Sequence, residues 1–166
     1  MKTMILKDLP INGEEGMNKL GSALGACLAA GDCVFLSGEM GMGKSVLARA
    51  VARVFGVTGP MPSPSFTILQ AYDSARVPVK HFDLYRLEEY DEFYSAGLDE
   101  EMDSASVSLV EWPEMTDFVP EKVLYIRITR GENDEQRLIT MENKGLSGER
   151  ADRIRSACLA AFGREQ

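Results

Sequence analysis

Residues Gly38-Glu39-Met40-Gly41-Met42-Gly43-Lys44-Ser45 match GxxxxGK[ST], the pattern of a loop that cradles phosphate groups. A triphosphate packs several negative charges into a small volume, so its site needs many donors that occupy no space of their own. Glycines meet that need, because without a Cβ the backbone N–H groups can close around the anion. On this reading the backbone of Glu39, Met40, Gly41, Met42 and Gly43 wraps the phosphates, and Lys44 reaches the β and γ phosphates as a point cation. The Ser45 hydroxyl holds Mg²⁺, a hard ion that prefers oxygen. The competing reading is a glycine-rich turn that happens to end in Lys-Ser, and the flanks argue against it. Cys33 to Leu36 is an apolar run fit for a strand, and Val46, Leu47, Ala50, Val51 and Val54 follow at helical spacing, with the positive end of that helix at the loop.

A phosphate loop alone binds. Hydrolysis or transfer also needs a carboxylate at the C-terminal end of a neighbouring strand. Two stretches offer one: Val107-Ser108-Leu109-Val110-Glu111 ends in Glu111, and His81-Phe82-Asp83-Leu84-Tyr85-Arg86 carries Asp83. Carboxylates are rarely placed on apolar strands without a partner, because desolvating them is expensive. Each acid reads equally as catalytic or as a strand-end group paired to Arg86 or to a helix N-terminus. Trp112 and Pro113, taken by themselves, read as a plug in the core.

These groups need elements to hold them. A short strand near Met4 to Leu6 precedes a helix starting at Asn12, with Glu15 three residues on and Met17, Leu20, Leu24 and Leu28 on one face; Gly31 ends it. The strand, phosphate loop and helix follow, closing at Gly56. Three prolines at alternate positions between Gly59 and Ser65 predict an extended loop. Phe66 to Tyr72 and Val77 to Leu84 read as strands about a turn near Asp73-Ser74, and Val107 to Val110 as a short buried one. Val123 to Thr129 and Gln136 to Met141 flank a polar turn at Gly131 to Asp134, and a last helix runs from about Gly148 to Phe162. The pattern predicts an α/β chain, residues 1–166 forming a single P-loop NTPase-like domain with a mixed, mostly parallel sheet, antiparallel additions and helices on both faces.

The 166 residues suffice for a core without disulfides or metal, and 45% hydrophobic with 27% charged residues is the composition of a soluble globular protein. No apolar run is long enough to span a membrane and no signal peptide is visible, which predicts a cytoplasmic location. Cys27, Cys33 and Cys158 are odd in number and sit on apolar positions, so they read as buried small hydrophobes; His81, the one histidine, makes an imidazole metal site improbable. A net charge of −8 argues against direct tight binding of nucleic acid. Glu88 to Glu121 holds twelve carboxylates and no Lys or Arg, either a solvated face or a dock for a basic partner.

Together, GEMGMGKS, SPSFT at Ser63 to Thr67, HFDLYRL at His81 to Leu87 and VEWPE at Val110 to Glu114 resemble the bacterial TsaE (YjeE) ATPases of tRNA threonylcarbamoyladenosine synthesis. The resemblance covers about Asn12 to Pro113, and its last two blocks are far more specific than the phosphate loop. It implies a cytoplasmic ATPase that binds ATP and Mg²⁺ and joins the TsaD-TsaB pair, which places threonylcarbamoyl on adenosine 37 of tRNAs reading codons that begin with A. The ATPase meets tRNA only through that complex, and its nucleotide cycle resets the assembly. The same resemblance gives Lys44 to phosphate, Ser45 and Glu111 to Mg²⁺, and Asp83 to water activation or γ-phosphate sensing, and it moves Trp112 to the edge of the nucleotide site. Ser65 and Thr67 become hydroxyls of a switch-like loop that report the γ phosphate. Hydrolysis is then slow alone and faster with the pair. Met42 replaces the family's usual Ala, Ser45 and Ser65 its usual Thr, and Met17 a Thr near the base, so no base contact is carried over; Arg137 is a further candidate contact.

A small-molecule kinase of the shikimate-kinase type is the main rival, but its Asp-x-Asp pair, second glycine cluster and arginine-rich lid are not visible. A GTPase would carry Asn-Lys-x-Asp, whereas Asn143-Lys144 is followed by Gly145-Leu146. A nucleotide-binding adaptor without turnover is the third reading.

Overall fold

In the computed structural model, residues 1–73 and 75–164 are described. The strands are β1 (Thr3–Asn12), β2 (Cys33–Ser37), β3 (Leu69–Tyr72), β4 (Val79–Asp83), β5 (Val107–Glu111), β6 (Val123–Arg130) and β7 (Gln136–Lys144). The helices are α1 (Gly13–Gly25), α2 (Lys44–Val54), α3 (Tyr90–Ser95), α4 (Leu98–Glu101) and α5 (Gly148–Ala161), with a 3₁₀ turn at Pro113–Met115. All seven strands join one sheet in the order β1-β7-β6-β2-β5-β4-β3. The four central strands pair in parallel, β6 with β2, β2 with β5 and β5 with β4. The flanks pair antiparallel, β1 with β7, β7 with β6 and β4 with β3. The sheet is therefore mixed, parallel at its centre and antiparallel at both edges.

β4 and β5 are buried at every position, as parallel strands covered on both faces must be. On one face Leu20 and Leu24 of α1, Leu47 and Val51 of α2, and Ile154 and Cys158 of α5 share a core with Val79, Val107 and Leu109. On the other, Phe93 and Leu98 pack with Phe35, Phe82 and Val110. Alternate residues of a strand point to opposite faces, which turns His81 and Asp83 with Val79 toward α2 and Lys80 away from it. Lys80 meets Glu101 at 2.9 Å and Asp103 at 3.1 Å, so part of the acidic stretch is neutralised within the fold. α1 and α2 touch closely at Gly21, where a Cβ would lie 2.4 Å from that of Ala50.

Several expected boundaries move. β1 runs on to Asn12 because it is an edge strand, where Pro10 has no ladder N–H to lose, and it is irregular between Met4 and Leu9 with Asp8 at φ 51°. Asn12 does stand at the N-terminus of α1, but its side chain makes no capping bond. α1 ends at Gly25 rather than Gly31, leaving Leu28 buried outside the helix. There the Cys27 carbonyl accepts from Arg150 and the Ala29 N–H donates to Asp32, contacts that take over from the helical ladder. Phe66 to Ile68 is a turn and not strand, since Ile68 adopts φ 68° and donates its N–H to Pro64 O at 2.7 Å. Asp73 lies in a turn as expected, and Ser74 falls outside the described residues. The three cysteines are buried and free, although Cys27 follows α1 and does not lie within it; burial pushes their thiols up, Cys158 to about 12. Among the described residues no helix is long and apolar enough to cross a membrane.

Candidate functional site

The loop between β2 and α2 turns sharply because Gly41 and Gly43 take φ of 82° and 104°, values that suit residues without a Cβ. At Gly38 a Cβ would meet Ile128 O at 2.7 Å. α2 begins at Lys44, so the positive end of its dipole faces the loop. Lys44 is only 5% exposed. Its ammonium donates to the carbonyls of Gly38 and, at 3.1 Å, Glu39, which fixes it inside the loop it closes. The Trp112 ring centroid lies 4.1 Å from Nζ. Burial lowers the Lys44 pKa, against the opposing pull of Glu111, Glu114 and Asp83.

The two acids arrive from adjacent strands. Asp83 and Glu111 are register partners at the ends of β4 and β5. Glu111 Oε2 accepts from Ser45 Oγ at 2.7 Å and meets His81 Nε2 at 2.6 Å. Asp83 Oδ1 accepts the Tyr85 N–H at 3.0 Å. Burial raises the Asp83 pKa; the Tyr85 N–H partly offsets this, and the Glu111 charge adds to it. Neither acid pairs with Arg86, whose Nε donates to Ser65 O at 2.8 Å while its guanidinium lies 4.3 Å from the Phe66 ring. Phe66 is 81% exposed, so this contact ties the proline-rich loop to the exit of β4 from the outside.

Met40 to Val46, Ser63, Ser65, Asp83, Glu111 and Trp112 line one cavity of about 340 Å³. Most residues expected from the sequence thus converge. Trp112 is half-buried, with φ 56° and its ring 4.8 Å from that of Tyr85, so it forms a wall and not a core plug. Two expected residues stand apart. Glu39 is exposed and lines a neighbouring cavity of about 420 Å³ with Trp112 and Arg130. Thr67 is exposed too, its Oγ1 accepting from Gln70 Nε2 at 3.3 Å, because the turn at Ile68 swings it from the site. Arg137 Nε donates to Met42 O at 3.2 Å and shares a third cavity of about 270 Å³ with Met17, Gly43 and Val46. His81 joined the site without being expected there; its only sequence signal is its place two residues before Asp83, on the same strand face.

The donors facing the cavity fit a triphosphate with its metal. A hydroxyl and two carboxylates supply hard oxygen but less than a full coordination shell, which suits Mg²⁺, an ion that keeps water and substrate phosphate oxygens. A cradle of glycines with one buried ammonium suits the phosphates themselves.

The sequence profile of the family described as Threonylcarbamoyl adenosine biosynthesis protein TsaE matches residues 11–139. The chain is 32% identical over 141 residues to the Nostoc tRNA threonylcarbamoyladenosine biosynthesis protein TsaE, covering 81% of this chain and 85% of the relative. It is 34% identical over 134 residues to the protein of that name from Bacillus subtilis, covering 80% and 83%. Its Mycobacterium tuberculosis counterpart is 36% identical over 131 residues, covering 73% and 77%. The crystal structure of Bacillus subtilis YdiB superposes with a TM-score of 0.70 at 25% identity, covering 98% of this chain and 97% of that one.

Proposed function

The chain belongs to the TsaE family, and from that premise we propose that it is a Mg²⁺-dependent P-loop ATPase of tRNA threonylcarbamoyladenosine biosynthesis that acts in the cytoplasm on the TsaD-TsaB pair. The observation that carries this reading is the meeting of Lys44, Ser45, Glu111 and Asp83 on one cavity beneath a glycine loop.

The loop amides and Lys44 hold the phosphates of ATP. Ser45 presents its oxygen to the metal, Glu111 accepts the Ser45 hydroxyl hydrogen, and Asp83 stands beside Glu111 on the adjacent strand. Mg²⁺, when bound, neutralises charge on the β and γ phosphates. Asp83, its pKa raised by burial, is the group suited to accept a proton from attacking water, since a base works best with its pKa near the operating pH.

Slow turnover alone follows from the cation count. Among the described residues Lys44 is the cation lining the cavity, and Arg86 is occupied with Ser65 and Phe66. Beyond the metal, charge building on the γ phosphate therefore lacks a second side-chain cation, which TsaD-TsaB supplies directly or by reordering the Pro60 to Thr67 loop. The net charge of −8 fits a protein that reaches tRNA through that complex and not by itself. Phosphate release measured with and without purified TsaD-TsaB tests the reading. The rate rises on mixing; an unchanged rate contradicts the partner assignment.

A further inference from the structure

His81 is 3% exposed, in a strand whose other inward residues include Val79 and Asp83. An apolar side chain would fill that volume without a polar atom to satisfy, so burial alone does not account for an imidazole. Its Nε2 lies 2.6 Å from Glu111 Oε2, and because a carboxylate only accepts, the hydrogen sits on Nε2. The same oxygen takes the Ser45 hydroxyl at 2.7 Å. One carboxylate oxygen thus lies between a strand residue and the first turn of α2.

We propose that His81 is a positioning residue: its N–H pins the Glu111 carboxylate so that Oε2 receives the Ser45 hydrogen and the Ser45 lone pairs turn to the metal. A hydroxyl has one hydrogen and two lone pairs, so where the hydrogen goes decides where the lone pairs point. A glutamate has three side-chain torsions, and a charge-assisted bond this short restricts the last of them. With the bond gone, the carboxylate rotates, Ser45 loses its fixed acceptor, and metal binding weakens while the phosphate cradle stays intact. The inference rests on the ATP-Mg²⁺ reading of the site.

The experiment titrates Mn²⁺, a paramagnetic substitute for Mg²⁺, into protein saturated with ATP analogue and reads bound metal by electron paramagnetic resonance. Half-saturation for His81→Leu shifts to about 10-fold higher Mn²⁺, the lower end of what losing a partner of a metal ligand costs, and His81→Gln, which keeps an N–H of similar reach, stays near the wild type. His81→Asn, polar but too short to reach Oε2, behaves as His81→Leu and replaces it should that variant not fold. Metal-free nucleotide affinity is unchanged in all three, a split that general loss of structure would not produce. In a Glu111→Ala background His81→Leu adds no further shift, since the two act as a unit. A folded His81→Leu or His81→Asn protein with the wild-type metal requirement overturns the inference alone. A wild type whose ATP analogue recruits no Mn²⁺ overturns the site reading and this inference with it.

Discussion

Asp83 and Glu111 stand side by side at the ends of two parallel strands, two buried carboxyl groups with the Lys44 ammonium in electrostatic reach of both. A sheet has no structural need for such a pair. Like charges in a desolvated place oppose folding, and they are retained where they serve chemistry.

Replacing Asp83 by Asn should therefore stabilise the protein at neutral pH. The folded-state pKa of Asp83 is raised, so between its ordinary value and that raised value the folded protein holds a proton that the unfolded chain has released, and stability falls as pH rises through this window. The variant escapes that loss. Its Tm exceeds the wild-type Tm at pH 7 by a few degrees, about what 1 kcal/mol produces in a domain of this size. The gap narrows toward pH 4, and thermal melts across that range check both the sign and the trend.

Nucleotide binding and turnover should separate by residue. Lys44→Ala removes the buried cation and strands the Gly38 and Glu39 carbonyls, lowering ATP affinity by roughly 100-fold, the scale of a charge-assisted hydrogen bond lost together with its charge. Asp83→Ala and Glu111→Ala retain most of the binding but lose on the order of 100-fold or more in turnover, as expected for a proton acceptor and a metal-site carboxylate. Filter binding beside single-turnover hydrolysis distinguishes the roles, and equal losses of both quantities in all three would contradict them.

What the sequence disclosed depended on how local each signal was. The phosphate loop is eight consecutive residues, Glu111 ends the short strand-like run from Val107, and Asp83 sits inside another strand-like run, so all were visible. That the two acids are partners depends on β4 lying beside β5, a tertiary fact. His81 was passed over because a lone histidine signals little and its acceptor lies thirty residues away. That Thr67 stands outside the cavity was not legible, because Ile68, a β-branched residue, takes a left-handed φ of 68° that no local pattern foretells, and the strand begins only after it. α3 and α4, of six and four residues, are too short to show a helical period, although the Glu89 and Glu92 capping box was there to be read.

Arg150 fastens α5 to the start of β2. Its guanidinium grips the buried Asp32 carboxylate through both nitrogens, Nη1 at 2.9 Å, and reaches the Cys27 carbonyl at 3.1 Å. Arg150→Ala leaves that carboxylate without its counter-charge, and unfolding in urea should show a loss of about 2–3 kcal/mol, below the full value for a buried pair because Arg150 is partly solvated. ATP affinity of the folded variant stays at the wild-type level, since no contact of Arg150 touches the cavity.

The central claim is that the glycine loop and Lys44 hold ATP with its metal. Calorimetric titration of ATP into the purified, folded protein, with and without Mg²⁺ and alongside Lys44→Ala, tests it most directly. Saturable heat for the wild type, strengthened by Mg²⁺ and shifted to much higher ATP concentration in the variant, is the predicted result. A wild type that gives no heat of binding under either condition would contradict it.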